Sequence, residues 1–252
     1  YLRKEINIMR NIKLIIEYDG KDFNGWQKQQ NKLNIQGEIE RAIEVITREK
    51  VELIASGRTD AGVHSLGQTA NFKIESEMPI EKMKVAINSQ LKKSIRIKNV
   101  EEVEENFHSR YNCKKKTYRY IINNSEQGSA IYRNLEYHMP LKLNFEEMKK
   151  AIKYFEGEHD FKAFKSSGGS VKTTIRTIYK TKIKKENERI EIELTGNGFL
   201  YNMVRIIAGT LVDVGLGKIE TNQIPEIIES KDRQKAGKTL PAHGLYLVKV
   251  EY

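Results

Sequence analysis

Ile175-Arg176-Thr177-Ile178-Tyr179 and Ile190-Glu191-Ile192-Glu193-Leu194 both alternate, and Glu186-Asn187-Glu188 stands between them. Alternation at period two puts every second side chain on one face of a strand, and the polar break predicts a β-hairpin. A direct hairpin requires antiparallel pairing, because parallel neighbours need a long crossover. Working outward, Tyr118, Tyr120 and Ile122 alternate before it and should share one strand face. Asn144, with Glu147 three residues on, is a capping arrangement for a helix carrying Phe145, Met148, Ile152 and Phe155, with Gly157 as its stop. After the hairpin, Gly196-Asn197-Gly198 leads into a helix with Met203, Ile206, Ile207 and Leu211, and a strand at Leu245 to Val250 ends the chain.

The first half has the same grammar. Ile12, Leu14, Ile16 and Tyr18 alternate; Ile35, Ile39, Ile43 and Ile46 recur at helical spacing. A strand over Gln68 to Ile74, a helix with Met83, Ile87 and Leu91, and a strand over Ile95 to Val103 complete it. Single helices between strands, plus a direct hairpin, predict an α+β fold with largely antiparallel sheets rather than a doubly wound parallel one. The boundary falls near Val103 to Asn112, giving halves of 9–110 and 111–252. Residues 1–8 precede Met9 without clear period and are set aside as an N-terminal extension.

Composition narrows the function classes. The 252 residues include no run near the roughly 20 apolar residues of a bilayer span and no signal-peptide pattern. Cys113 is the only cysteine, so a disulfide framework is excluded and a reducing cytoplasm is expected. Lys plus Arg number 44 against 34 Asp plus Glu, a net charge of +10. Such a balance favours a polyanionic partner, because cations that neutralise phosphates release condensed counterions. Glu101-Glu102-Val103-Glu104-Glu105 makes the charge patchy, as one phosphate-facing surface would require.

The chemistry is approached by elimination. The five histidines and the lone cysteine lack ligand spacing, so no metal site is expected, and His159-Asp160 reads better as a cap or core hydrogen bond. No glycine-rich dinucleotide or Walker loop is present, so no nucleotide cofactor is expected. Ser166-Ser167-Gly168-Gly169-Ser170 reads as a flexible loop. Lys114-Lys115-Lys116 beside Tyr118, Arg119 and Tyr120 could meet RNA, as could Lys172, Arg176 and Lys180, or Arg205. Tyr118 to Ile122 fits a core face with solvated basic residues equally well. Ser56 to Gly67, read as a loop between strands, packs Gly57, Arg58, Thr59, Asp60, Gly62 and His64 into close order. Loops on rigid scaffolds concentrate catalytic groups, yet a turn aspartate bonded to nearby backbone N–H groups explains Asp60 as well.

A resemblance bears on that choice. Gly57-Arg58-Thr59-Asp60-Ala61-Gly62-Val63-His64 is similar to the signature of the tRNA pseudouridine synthase A family. Further blocks resemble it in family order: Tyr18-Asp19-Gly20 with Phe23 to Gln29, Phe107 to Tyr111 with Lys116 to Tyr120, Gly157 to Phe161, Gly196 to Arg205, and Pro241 to Leu247. His108-Ser109 departs from the family's small or acidic residue followed by Ala, and Leu240 stands where Ala is common. The resemblance implies a homodimer of two α/β halves whose antiparallel sheets join into one continuous sheet, with the active-site cleft between the halves. It implies isomerisation of uridine to pseudouridine in the anticodon stem-loop of tRNA, at positions 38 to 40, without a redox or energy cofactor. Asp60 would be the nucleophile, attacking either C1′ of the ribose or C6 of the base. Arg205 would pair with it, Arg58 would fill the space of the extruded base, Tyr118 would stack on the uracil, and Leu245 would pack on the base's other side. Lys116 and its neighbours would contact phosphates. Two rival classes make different demands. A non-catalytic RNA-binding protein would not need Asp60, and a nucleoside hydrolase would release free uracil.

Overall fold

The computed structural model describes residues 9–168 and 171–252. The N-terminal extension and Gly169-Ser170 of the loop at 166–170 therefore lie outside the described residues. The chain divides into two compact units, the first ending at Cys113 and also taking in Tyr252, the second running from Lys114 to Glu251.

In the first unit, β1 (Arg10–Tyr18) is central, flanked by β3 (His64–Ile74) and β4 (Ile95–Val103), both antiparallel to it. The short β2 (Ile54–Ala55) pairs antiparallel with β3. The alternation of Ile12, Leu14, Ile16 and Tyr18 has a physical destination, since all four are buried. Against them pack α1 (Ile35–Thr47) through Ile35, Ile39 and Ile43, and α2 (Ile80–Gln90) through Met83 and Ile87. Each fully buried isoleucine contributes roughly 1.5–3 kcal/mol relative to an exposed one, so this layer is what makes the sheet stable. The side chain of Asn34 accepts from Gly37 N at 2.8 Å and caps α1. On the sheet's other face, Asn11 Nδ2 donates to the carbonyls of Glu104 and Phe107 at 2.9 Å each. Asn71 Oδ1 accepts from Ser109 N at 2.8 Å, which ties the 104–109 segment across the strands.

The second unit builds its sheet from β5 (Lys115–Asn123), β7 (Gly157–Asp160), β8 (Ile175–Glu186), β9 (Arg189–Gly196) and β10 (Leu245–Glu251). Their order is β10-β5-β9-β8-β7, antiparallel throughout, with β6 (Tyr137–His138) added parallel to β5. Helix α4 (Met203–Gly215) is buried almost all round, as its apolar sequence requires. Gly209 makes that enclosure possible, because a Cβ there would sit 1.9 Å from the carbonyl oxygen of Lys238. Helices α3 (Phe145–Ala151) and α5 (Ile224–Ser230) complete the layer.

The α+β reading holds in each unit. The decisive hairpin is real but longer than the alternation showed: β8 runs on through Lys180–Glu186, and Asn187 (φ +52) and Glu188 make the turn. A register shift at Tyr179 and the exposed Lys182, Lys184 and Lys185 hide the period there. Asn144 does cap α3, accepting from Glu147 N at 3.3 Å. That helix is α only to Ala151, continuing as a 3-10 turn over Ile152–Phe155. Gly157, at φ +104, follows the Glu156 cap where this helical segment stops, and it also opens β7. His64 to Gly67, read as loop, already belong to β3.

Candidate active site

Asp60 stands where the chain leaves β2 and turns into β3. The turn is closed by Val63 N donating to Asp60 O at 3.1 Å, with Gly62 at the positive φ of +78 that its third position needs. Around the aspartate the backbone is gripped from several sides. Trp26 N donates to Thr59 O at 3.0 Å, and Gln68 Nε2 donates to Gly57 O at 2.8 Å. The buried hydroxyls of Tyr18 and Thr59 meet at 2.7 Å. Burial pushes the Tyr18 phenol well above the usual tyrosine range, outweighing the hydrogen bonds of Thr59, Gln68 and Ser65 that lower it, so it keeps its proton. Gly20 and Gly25 let the 20s segment close on this turn: a Cβ on Gly20 would lie 2.0 Å from Val63 O, and one on Gly25 2.5 Å from Thr59 O. Behind the turn, the buried His64 Nδ1 lies 3.1 Å from both Gly20 N and Asp19 Oδ1.

Asp60 is more open to solvent than the residues that grip its turn. Its neighbours Thr59, Val63 and His64 are buried, whereas Asp60 itself is half-exposed and Arg58 is exposed. A carboxylate presented at the surface of a rigid, over-determined turn is what nucleophilic chemistry requires. Sequence reasoning assigned no role to Tyr18, Trp26 or Gln68. Tyr18 read as one more buried strand position, and the pairing of residues 41 apart has no local signature.

Tyr118, Lys116, Arg205 and Leu245 lie in the second unit. Lys116, Tyr118, Tyr120 and Ile122 follow the period of β5 and share a face. The core-face reading of this strand holds for Tyr120 and Ile122, which are buried, whereas Tyr118 is a half-buried rim residue set edge-on to Phe199 at 5.0 Å. Leu245 pairs directly with Tyr120, and Leu247 with Tyr118, so Leu245 is the diagonal neighbour of Tyr118 on that face. Arg205, in the first turn of α4, donates from Nε to Leu240 O and from a terminal nitrogen to Asn202 Oδ1, each at 2.6 Å. Tyr120 donates to the next carbonyl, Pro241 O, at 2.8 Å. Burial pushes the Tyr120 phenol up, and the Arg205 guanidinium opposes that shift. Two adjacent carbonyls are thus held by Arg205 and Tyr120, and Leu245 follows four residues on.

His159-Asp160, set aside as a metal pair, serves as a cap. Asp160 Oδ1 accepts from Lys162 N at 3.1 Å and from Thr174 Oγ1 at 2.5 Å, and Oδ2 meets Lys231 Nζ at 3.1 Å. His159 Nε2 lies 2.9 Å from Glu156 O.

Comparison with known proteins supplies the lineage. A family model described as tRNA pseudouridine synthase matches residues 14–112 and 151–252, which include Arg58, Asp60, Arg205 and Leu245 but not Lys116 or Tyr118. A tRNA pseudouridine synthase A of Acetivibrio thermocellus is 54% identical over 244 residues, covering 97% of this chain and all of that one. The protein of the same name from Ruminiclostridium cellulolyticum is 52% identical over 245 residues, with 97% and 100% covered. The tRNA pseudouridine synthase A 2 of Clostridium perfringens is 52% identical over 244 residues, with the same coverage. With a family model spanning most of its length and full-length relatives sharing half its residues, this chain belongs to the tRNA pseudouridine synthase family.

Proposed function

We propose that this protein is an isomerase that converts uridine to pseudouridine in the anticodon stem-loop of tRNA, at positions 38 to 40, with Asp60 as nucleophile. The observation that carries it is the half-exposed Asp60 on a turn held by Trp26, Tyr18 and Gln68, in a chain of this family. The reaction breaks the C1′–N1 bond, turns the base and joins C1′ to C5, losing the C5 hydrogen as a proton to solvent while the freed N1 takes up a proton. Substrate and product are isomers, so the chemistry is redox-neutral. It needs one ionised carboxylate to hold the intermediate, at C1′ or at C6.

The remaining residues take roles that their surroundings support. Residues 9–110 carry the nucleophile, with Arg58 filling the space of the extruded base. Residues 111–252 carry Tyr118, whose ring stacks on uracil and whose hydroxyl can move the C5 proton, and Leu245, which offers the base an apolar surface. Arg205 is the cation that keeps the nucleophile ionised, and its hydrogen bonds to Leu240 and Asn202 hold its guanidinium in place. Lys116 contributes phosphate affinity without sequence information. Among the described residues no helix is long and apolar enough to cross a membrane. The tRNA substrate and the lone cysteine favour a cytoplasmic protein, and the size of tRNA favours a homodimer with an extended basic surface.

The test is incubation of unmodified tRNA with the protein, followed by chemical detection of pseudouridine. Modification confined to the anticodon arm supports the proposal; free uracil among the products would mean a hydrolase, and no product would sink it.

A further inference from the structure

Beneath the Asp60 turn lies a chain of buried polar groups larger than a two-strand junction needs. Ser56, Ser65 and Gln68 are each at most 1% exposed, Tyr18 is 3% and Thr59 6%. Ser56 Oγ donates to Gln68 Oε1 at 2.7 Å, and the same Oε1 accepts from Thr69 N at 3.1 Å. The Gln68 amide nitrogen then reaches the carbonyl of Gly57. Ser65 Oγ accepts from Gly67 N at 3.1 Å and Gln68 N at 2.8 Å. The Tyr18 hydroxyl sits among Thr59, Gln68 and Ser65, closest to Thr59. Burying five polar side chains costs free energy unless all are satisfied, and an apolar filling of the same volume would serve stability as well. What the polar version adds is direction: hydrogen bonds at Gly57, at the Thr59 side chain and at Thr59 O fix peptide groups before Asp60, and the Val63–Asp60 bond fixes the one after.

We propose that Tyr18, Thr59 and Gln68 are positioning residues for Asp60, linked by this buried hydrogen-bond chain, and that they set the rate of the chemical step without contributing to RNA affinity. This rests on Asp60 being the nucleophile. None of the three needs to touch substrate. Tyr18 keeps its proton and can donate to Thr59 Oγ1, so the link survives across the working pH range. A displacement of the carboxylate by about 1 Å is enough to slow attack by as much as 100-fold.

The experiment is a double-mutant cycle on the full chain, read by single-turnover pseudouridine formation and, separately, by equilibrium binding of the same tRNA. Tyr18→Phe and Thr59→Val each remove one hydroxyl of the 2.7 Å contact at nearly constant volume, and Thr59→Ser restores it. The expected result is a single-turnover rate lower by about 10- to 100-fold in both single variants, with tRNA affinity within twofold of wild type. The double variant is no slower than the worse single one, and Thr59→Ser recovers most of the rate. Folded fraction is monitored by the fluorescence of Trp26, so that rates are expressed per folded molecule. Should Tyr18→Phe fail to fold, the Thr59→Val and Thr59→Ser pair carries the same comparison. Wild-type rates in Thr59→Val, or a loss confined to tRNA affinity, overturn the positioning role alone. A wild-type protein that forms no pseudouridine overturns both this role and the assignment of Asp60.

Discussion

Gly25→Ala tests the closure of the Asp60 turn most sharply. Gly25 has φ +83, a left-handed backbone that costs an L-residue about 1–2 kcal/mol. A Cβ there would meet Thr59 O at 2.5 Å, with Ala61 N and Asp60 C at 3.1 Å, and all three are backbone atoms that cannot rotate aside. Ordinary contact starts at 3.4 Å, so the two segments would have to part by 3.4 − 2.5, or about 0.9 Å. That separation stretches the neighbouring Trp26 N to Thr59 O bond of 3.0 Å, worth about 1 kcal/mol. The expected loss is about 2–4 kcal/mol, measured by urea denaturation with circular dichroism and Trp26 fluorescence. Gly217→Ala is the control, because φ is +71 there but nothing lies within 4 Å of the added carbon, leaving only the backbone cost. Catalysis by folded Gly25→Ala should also fall, since the same peptide groups carry Asp60. Equal losses in the two variants would refute the close-approach argument.

Gly209→Ala, on α4, should destabilise by more than the roughly 1 kcal/mol by which alanine is usually the better helix former, reversing the sign expected from propensity. The cause is the 1.9 Å approach to Lys238 O, and thermal unfolding checks it; a stabilised variant would mean that the 238–240 strap can yield. Asp160→Asn should cost about 1 kcal/mol at neutral pH, because the Thr174 hydroxyl foremost, then Lys231, hold its carboxyl below the usual aspartate range. A depressed folded-state pKa gives stability that is fully present above the unfolded value of 3.8 and disappears as pH falls through the lower folded value. The gap between wild type and Asp160→Asn should therefore be constant from pH 7 to 5 and close below about pH 3.8; a gap that persists at pH 2 contradicts the charge-based cause.

The elements legible in the sequence are those whose packing is one-sided. Ile12, Leu14, Ile16 and Tyr18, or Ile35, Ile39 and Ile43, bury one face fully and leave the other mostly to polar, less buried residues, so their period survives in the sequence. Helix α5 was not foreseen: seven residues with Pro225 near its start give barely two turns of pattern. β7 was hidden by Gly-Glu-His-Asp, which carries no apolar alternation because all four residues are half-buried or exposed. Asp60, Tyr118, Arg205 and Leu245 came from motifs rather than from periodicity, and Lys116 from charge. The supports of Asp60 were out of reach for a different reason. Tyr18, Gly25 and Gln68 act on Thr59 and Gly57 through contacts between distant segments, and pairing of that kind is written in the fold, not in any local spacing.

The central claim, that Asp60 drives a uridine-to-pseudouridine isomerisation, has a direct readout in the fate of the C5 hydrogen. With tRNA carrying tritium at C5 of its uridines, each C1′–C5 bond formed must release one tritium to water. The account predicts release matched one-to-one by pseudouridine in the anticodon arm, with RNA length and mass of the unlabelled chain unchanged, and no release above background from Asp60→Ala despite retained tRNA binding. Tritium release by Asp60→Ala at the wild-type rate, or free uracil in place of pseudouridine, would contradict it.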